Sequence, residues 1–271
     1  MMFYNTYHYG DCLLSLYFLI KTSIANNNMH FEFYCNPEYH HQLQEFIPTT
    51  SNVKLLTDLP ENAYNLWGYA TIQKMQKTVP PQYPIHSLAY PDLIDVGGVV
   101  CNTNKFICNE LSLNCSFRNK FDVIFDLDIF NQNTNTNTYD FLFINSYCQS
   151  GQMHHVTSTE QDNIFIELFN IANKHNLSYI TTKKINEHPC TLDNNMSLVQ
   201  IGQLAKNCKY IIGVPTSPFF CCINKFSFNN CKLFINFTQD MCTFDYGSKF
   251  KTVRSLPEII SLLVDNNIIP K

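Results

Sequence analysis

The residues best suited to chemistry lie between Gly213 and Cys222, which read Gly-Val-Pro-Thr-Ser-Pro-Phe-Phe-Cys-Cys. They follow Cys208-Lys209-Tyr210-Ile211-Ile212, a short apolar run of the kind that forms a buried parallel strand. Ser217 followed by Pro218 predicts a helix start, because a serine hydroxyl can cap free backbone N–H groups and proline fits the first helical position. A strand that stops at a turn of small residues and feeds a helix presents unpaired N–H groups and the positive end of the helix dipole. That chemistry suits an anion, and a diphosphate is a good candidate. The same residues also suit an ordinary βα turn of an α/β sheet.

The elements that must position this turn recur along the chain. Phe3 to Tyr7 predicts a first strand, and His8-Tyr9-Gly10-Asp11 a tight turn in which Gly10 supplies the permissive backbone and Asp11 caps the next helix. Leu13, Leu14, Leu16, Tyr17, Phe18, Leu19 and Ile20 give that helix an apolar face wide enough to lie on a sheet. Strands at Phe31–Cys35 and Val53–Leu56 flank a helix opened by Pro37, so the first third reads βαβαβ. From Asn65 to Asn119 the pattern loosens into loops, with a helix expected from Val99 to Glu110.

The polar run Asn131 to Thr138 has nothing to bury and is the best linker in the chain. It divides residues 1–130 from residues 139–271. The second half restarts with a strand at Phe141–Ile144, a helix at about Glu160–His175, a strand at Leu177–Thr181 and a helix capped by Ser197. After the Gly213 turn come a last strand, Leu233–Phe237, and a closing helix opened by Pro257. Two α/β halves with parallel strands suggest a cleft lined by the C-terminal ends of the strands.

Composition narrows the function. With 45% hydrophobic residues and 22 Phe among 271 residues, the chain has ample material for a core. A net charge of −4 gives no general attraction to nucleic acid or an anionic membrane. The 12 Cys are scattered without a CxxC pair, and they read as small core residues of a protein in a reducing compartment. No basic start or signal peptide precedes the first strand, and Cys12 to Ile20 is too short to cross a bilayer, so a cytoplasmic protein is expected. The abundant Asn fits an A/T-biased genome, such as that of a large DNA virus, a protist or an A/T-rich bacterium. No Gly-x-Gly-x-x-Gly, Walker or Gly-x-Ser-x-Gly motif is present, which disfavours dinucleotide enzymes, ATPases and α/β-hydrolases.

Tyr7-His8-Tyr9-Gly10-Asp11-Cys12-Leu13-Leu14-Ser15-Leu16 resembles the N-terminal Gly-Asp-hydrophobic loop of the heptosyltransferase-like glycosyltransferases of family 9. So does the strand near Phe31 followed by Pro37-Glu38-Tyr39, and the segment Leu198 to Pro218 is similar to that family's approach to its donor site. The resemblance implies a GT-B fold, two Rossmann-like domains with parallel sheets facing a cleft. It implies glycosyl transfer from a nucleotide diphosphate sugar, with inversion and without a metal, to a hydroxyl of a glycan or related acceptor. Asp11 falls on the family's proposed catalytic base, His8 is the other candidate base, and Gly10 lies beside them. Thr216-Ser217-Pro218 falls on the turn that holds the donor diphosphate. The chain departs from the family at Pro215, Ser217 and Phe220, where an acidic residue, a Gly and a His are usual.

In that frame the loop Ser146 to Gln152 enters the cleft, and Ser146, Gln149, Ser150 and Gly151 suit hydrogen bonds to phosphate or sugar hydroxyls. Lys183 follows a strand and could neutralise phosphate. Thr191 and Asp193, just ahead of the Ser197 helix, could reach a ribose or base. Asp126-Leu127-Asp128 is the rival: an Asp-x-Asp ending an apolar strand is the metal–diphosphate motif of GT-A glycosyltransferases. A non-catalytic carbohydrate-binding relative is the second rival. The oligomeric state is left open by the sequence.

Overall fold

The structure is a computed structural model, and it describes residues 1–6, 8–59, 63–65, 111–114, 124–132, 137–148, 153, 156–239 and 246–270. The chain divides into two compact units, Met1–Val123 and Ile124–Lys271.

The first unit is built on a parallel sheet. Its strands are β1 (Met2–Asn5), β2 (Phe31–Cys35), β3 (Val53–Leu56) and the two-residue β4 (Tyr64–Asn65), in the order β3-β2-β1-β4. All three pairings are parallel. The helix Tyr9–Ala25 follows β1 and buries Leu13, Leu16, Tyr17, Leu19 and Ile20. The helix Pro37–Gln44 starts as its sequence dictates, with Pro37 in the first turn and the Asn36 side chain accepting the Glu38 N–H at 3.1 Å. The helix expected at Val99–Glu110 lies outside the described residues.

The second unit carries a five-stranded parallel sheet in the order β6-β5-β7-β8-β9. Its strands are β5 (Tyr139–Ile144), β6 (Tyr179–Thr181), β7 (Cys208–Gly213), β8 (Leu233–Phe237) and β9 (Phe250–Val253). One face packs Phe141, Phe143, Ile212, Ile235 and Phe237 under the helices Ser158–Lys174 and Leu256–Asp265. The other packs Leu142, Ile144, Ile211 and Phe234 against the helices Leu198–Ala205 and Ser217–Cys222. Central strands buried on both faces explain the continuous apolar runs of the sequence.

Two expectations need correction, and one helix went unread. The second unit begins at Ile124, not beyond a linker at 131–138. Phe125 bridges Asn224, the Gln203 amide donates to the Ile129 carbonyl at 2.8 Å, and the Lys206 ammonium to the Asn131 carbonyl at 2.5 Å. Apolar Phe125 and Phe130, both buried, hold the segment there despite the polar run that follows. Residues 133–136 of that run lie outside the described residues. Leu233–Phe237 is not the last strand, because Phe250–Val253 pairs with it as an edge; its Phe-Lys-Thr-Val is too short to stand out by alternation. The helix Lys225–Asn230 was also hidden, although Asn224 caps it through the N–H groups of Phe226 and Ser227.

Asparagine has a structural use here. The chain has only 8 Gly, and Asn27, Asn28, Asn176, Asn186, Asn195 and Asn267 take the left-handed backbone that glycine usually supplies at turns and helix ends.

Candidate functional site

In the first unit the chain leaves β1 at the point where the strand order reverses, between β1 and β4. Crevices at such switch points are where open α/β sheets bind ligands. His8, not Asp11, occupies the cap position of the following helix, with extended backbone and no capping side-chain bond. Gly10 and Asp11 lie within the first helical turn, so Gly10 serves no tight turn there. The helix starts early because fully buried Asn5 locks it. The Asn5 amide donates to the Ser15 hydroxyl at 2.9 Å and to the Asp11 carbonyl at 3.2 Å, and the Cys12 thiol donates to the Asn5 carbonyl at 3.2 Å. His8, Gly10 and Asp11 are each half-buried. Tyr9 packs edge-on against Tyr39 beside them, at 5.1 Å between ring centres. Burial, then Cys35, then Asp11 push the Cys12 thiol up, and burial raises Cys35 to about 11. Neither thiol is a ready nucleophile.

In the second unit the order reverses between β5 and β7, and the loops leaving these two strands touch. The Cys148 thiol donates to the Pro215 carbonyl at 3.5 Å, and the Val214 N–H to the Ile144 carbonyl at 3.1 Å. Asn145, which the sequence did not single out, organises this edge. Its side-chain oxygen accepts the N–H groups of Thr182 at 3.0 Å and Lys183 at 2.8 Å, and its amide donates to the Lys183 carbonyl at 3.0 Å. The Gln161 amide, from the helix above, donates to the carbonyls of Asn145 and Ser146. The result brings the Ser146 hydroxyl to 3.0 Å from that of Thr182. Gln149, Ser150 and Gly151 lie outside the described residues.

Thr216, not Ser217, is the cap residue of the helix Ser217–Cys222, and no side chain caps that helix. The Thr216 hydroxyl turns back to the Val214 carbonyl at 3.3 Å. Ser217 and Pro218 are the first two helical residues. Proline at the second position moves the expected start by one residue. Ser217 is half-buried and Thr216 is buried.

The charged candidates are already paired. The Lys183 ammonium bonds both Asp162 oxygens at 2.7 Å and lies 3.5 Å from the centre of the Tyr147 ring, whose hydroxyl donates to Asp162 at 2.9 Å. Burial opposes the Lys183 charge, but Asp162 and Tyr147 outweigh it and raise its pKa. Asp193 pairs with Lys184 and accepts the Cys190 N–H at 3.1 Å, which makes it a cap of the 3-10 turn Thr191–Asn194. Ser197 caps its helix reciprocally with Gln200, as its spacing predicts. Thr191 is fully buried, and its hydroxyl has no partner.

Asp126 and Asp128 do not end a sheet strand. Phe125 makes only an isolated bridge, and Asp128 begins a four-residue 3-10 helix. Among the described residues no three His, Cys, Asp or Glu side chains gather as a metal cluster, and no helix is long and apolar enough to cross a membrane.

No family model and no curated protein matches the sequence. Solved structures do. Escherichia coli heptosyltransferase WaaC with ADP aligns over 98% of this chain and 97% of its own, with TM-score 0.60 and 11% identity. The same enzyme with ADP-2-deoxy-2-fluoro heptose aligns over 98% and 99%, with TM-score 0.58 and 12% identity. A family 9 glycosyl transferase from Veillonella parvula aligns over 100% and 89%, with TM-score 0.52 and 10% identity. The chain therefore has the α/β, GT-B fold of the family 9 glycosyltransferases.

Proposed function

We propose that this protein is a glycosyltransferase that moves a sugar from a nucleotide diphosphate sugar to a hydroxyl of a glycan or related acceptor. The observation that carries this reading is the loop cluster at the β5/β7 switch point, which gathers the Ser146 and Thr182 hydroxyls beside the Thr216 turn on a GT-B scaffold. A neighbouring structure of that fold holds ADP and another an ADP-sugar analogue.

The second unit takes the donor. The Thr216 N–H is already given to the Val214 carbonyl at 2.8 Å, so the backbone N–H groups of the helix start at Ser217, with the hydroxyls of Ser146 and Thr182, bind its phosphates and stabilise the charge that grows on the leaving diphosphate, without a metal. Lys183 is held by Asp162 and so acts through position rather than as a free cation. The acceptor oxygen attacks the anomeric carbon from the opposite face. A new C–O bond forms, the bond from that carbon to the diphosphate breaks with its electron pair, and the centre inverts. Asp11 takes the acceptor proton, and the half-buried His8 next to it is the alternative base.

A non-catalytic carbohydrate-binding role is the second reading, favoured by Pro215, Ser217 and Phe220 at positions where the family usually has an acid, a Gly and a His. A thermal-shift panel of UDP, GDP, ADP, CMP and dTDP sugars tests donor binding, since a ligand of the native state raises its melting temperature. Turnover of the binding donor with EDTA present supports the metal-independent transferase. Loss of all turnover with EDTA favours metal dependence, and binding without any hydrolysis or transfer favours the second reading.

A further inference from the structure

Asn236 is wholly buried near the end of β8, and neither its amide nitrogen nor its side-chain oxygen has a hydrogen-bond partner. Leaving a buried donor and acceptor unmade costs about 1–3 kcal/mol each. Asn145, on the same sheet, shows what an amide does when it holds the fold: both of its polar atoms are bonded. Asn236 has no such structural duty.

Its place in the sheet shows what it faces. Ile235 and Phe237 belong to the core under the helices Ser158–Lys174 and Leu256–Asp265, while Phe234 belongs to the opposite core, with Phe219 and Cys222. Side chains alternate along a strand, so Asn236 lies on the Phe234 side. Its register partners are Gly213 and Thr252. Gly213 has no side chain, and the Ile144 and Phe219 side chains close in on the space its Cβ would take. At Gly213 the chain leaves β7 and enters the Val214–Thr216 turn, and buried Thr216 is three residues on.

An amide offers two N–H donors and a carbonyl acceptor. A phosphate only accepts and an apolar group does neither, whereas a sugar hydroxyl both donates and accepts. We propose that Asn236 is a specificity-determining residue that hydrogen-bonds hydroxyls of the nucleotide sugar, on its ribose or on the transferred sugar. This rests on the glycosyl-transfer reading. The amide is held dry and unpaired in the free protein and gains its partners when the donor binds.

Asn236→Leu separates this from a structural role, because replacing an unpaired polar group by an apolar one of similar shape is neutral or stabilising. The free variant is expected to melt at or above the wild-type temperature. Its affinity for the nucleotide sugar, by titration calorimetry, is expected to fall about tenfold or more. Loss of affinity for the sugar nucleotide alone assigns the contact to the transferred sugar, and equal loss for the plain nucleoside diphosphate assigns it to the ribose. Asn236→Ala, which cannot overfill the site, supplies the same affinity comparison if the leucine variant does not fold. Unchanged affinity in a folded variant overturns the inference and leaves the glycosyl-transfer reading standing. A wild-type protein that binds no nucleotide sugar overturns both.

Discussion

The side-chain oxygen of Asn145 accepts the backbone N–H of Thr182 at 3.0 Å, and through that bond the end of β5 holds the end of β6. Asn145→Ala would leave the Lys183 N–H without this partner, while the Thr182 N–H keeps the Phe143 carbonyl at 3.0 Å. For one buried unmade bond a loss of roughly 1–3 kcal/mol is expected. Urea unfolding measures it. A loss under about 0.5 kcal/mol would mean that the loops after β5 and β6 do not depend on this residue.

Gly202 touches the segment that joins the second unit ahead of β5. A Cβ there would overlap the Phe130 ring and stand 2.8 Å from the Cys221 carbonyl oxygen. Overfilling a packed site of this kind costs about 1–3 kcal/mol. Gly202→Ala paired with Phe130→Leu is expected to recover part of that loss, because the ring is one of the two obstacles. Two additive losses in the double-mutant cycle would separate Phe130 from the core of this unit.

The central strands, the long helices and the order of elements were legible because apolar runs and helix-start residues such as Pro37 and Ser197 act locally. The domain boundary was not, since Phe125 and Phe130 precede a polar run and only the contacts of Phe130 with Gly202 and of Gln203 with Ile129 show where they pack. Asn145 and Asn5 were invisible for the same reason. Each is one more asparagine in an asparagine-rich sequence until its partners from other elements arrive. The helix starts at His8 and Thr216 were misplaced because no capping side chain marks them. The pairing of Lys183 with Asp162 spans 21 residues, so the strand-end position alone overstated its freedom.

Asp140 gives the second unit a pH dependence. Burial alone would raise its pKa, but the Lys209 ammonium at 2.7 Å and the Ser178 N–H and O–H groups outweigh that and lower it. A carboxylate with a folded pKa below its unfolded one stabilises fully above the unfolded value, about 3.9, and loses that contribution as the pH falls through the folded value. Asp140→Asn is expected to cost about 1–2 kcal/mol at pH 7, discounted for the exposed Lys209 partner. The gap between wild type and variant should close below about pH 4. A gap that stays constant into acid would show that the charge contributes nothing.

Ser217 is the first helical residue after the Thr216 turn, and it is half-buried. Ser217→Glu places a negative charge where the proposed diphosphate sits. Donor affinity is expected to fall about tenfold or more, at least roughly 1.4 kcal/mol. The fall should be larger for a nucleoside diphosphate than for the nucleoside, which carries no phosphate to repel. Equal affinity in wild type and a folded variant would move the donor away from this turn.

Asp11 stands in the first turn of the helix that leaves β1, and Asn5 fixes that turn through the Asp11 backbone carbonyl rather than its carboxylate. The carboxylate is therefore not what the Asn5 lock requires, and Asp11→Asn preserves its shape while removing the base. Loss of a general base typically costs about 10²–10⁴ in rate. Nucleotide affinity should persist, because the proposed donor residues all belong to the second unit. Single-turnover rates and nucleotide titration on the same folded variant separate the two quantities. Near-normal turnover would demote Asp11 to an acidic residue that favours the helix N-terminus, and His8→Ala would then be the variant to lose the rate.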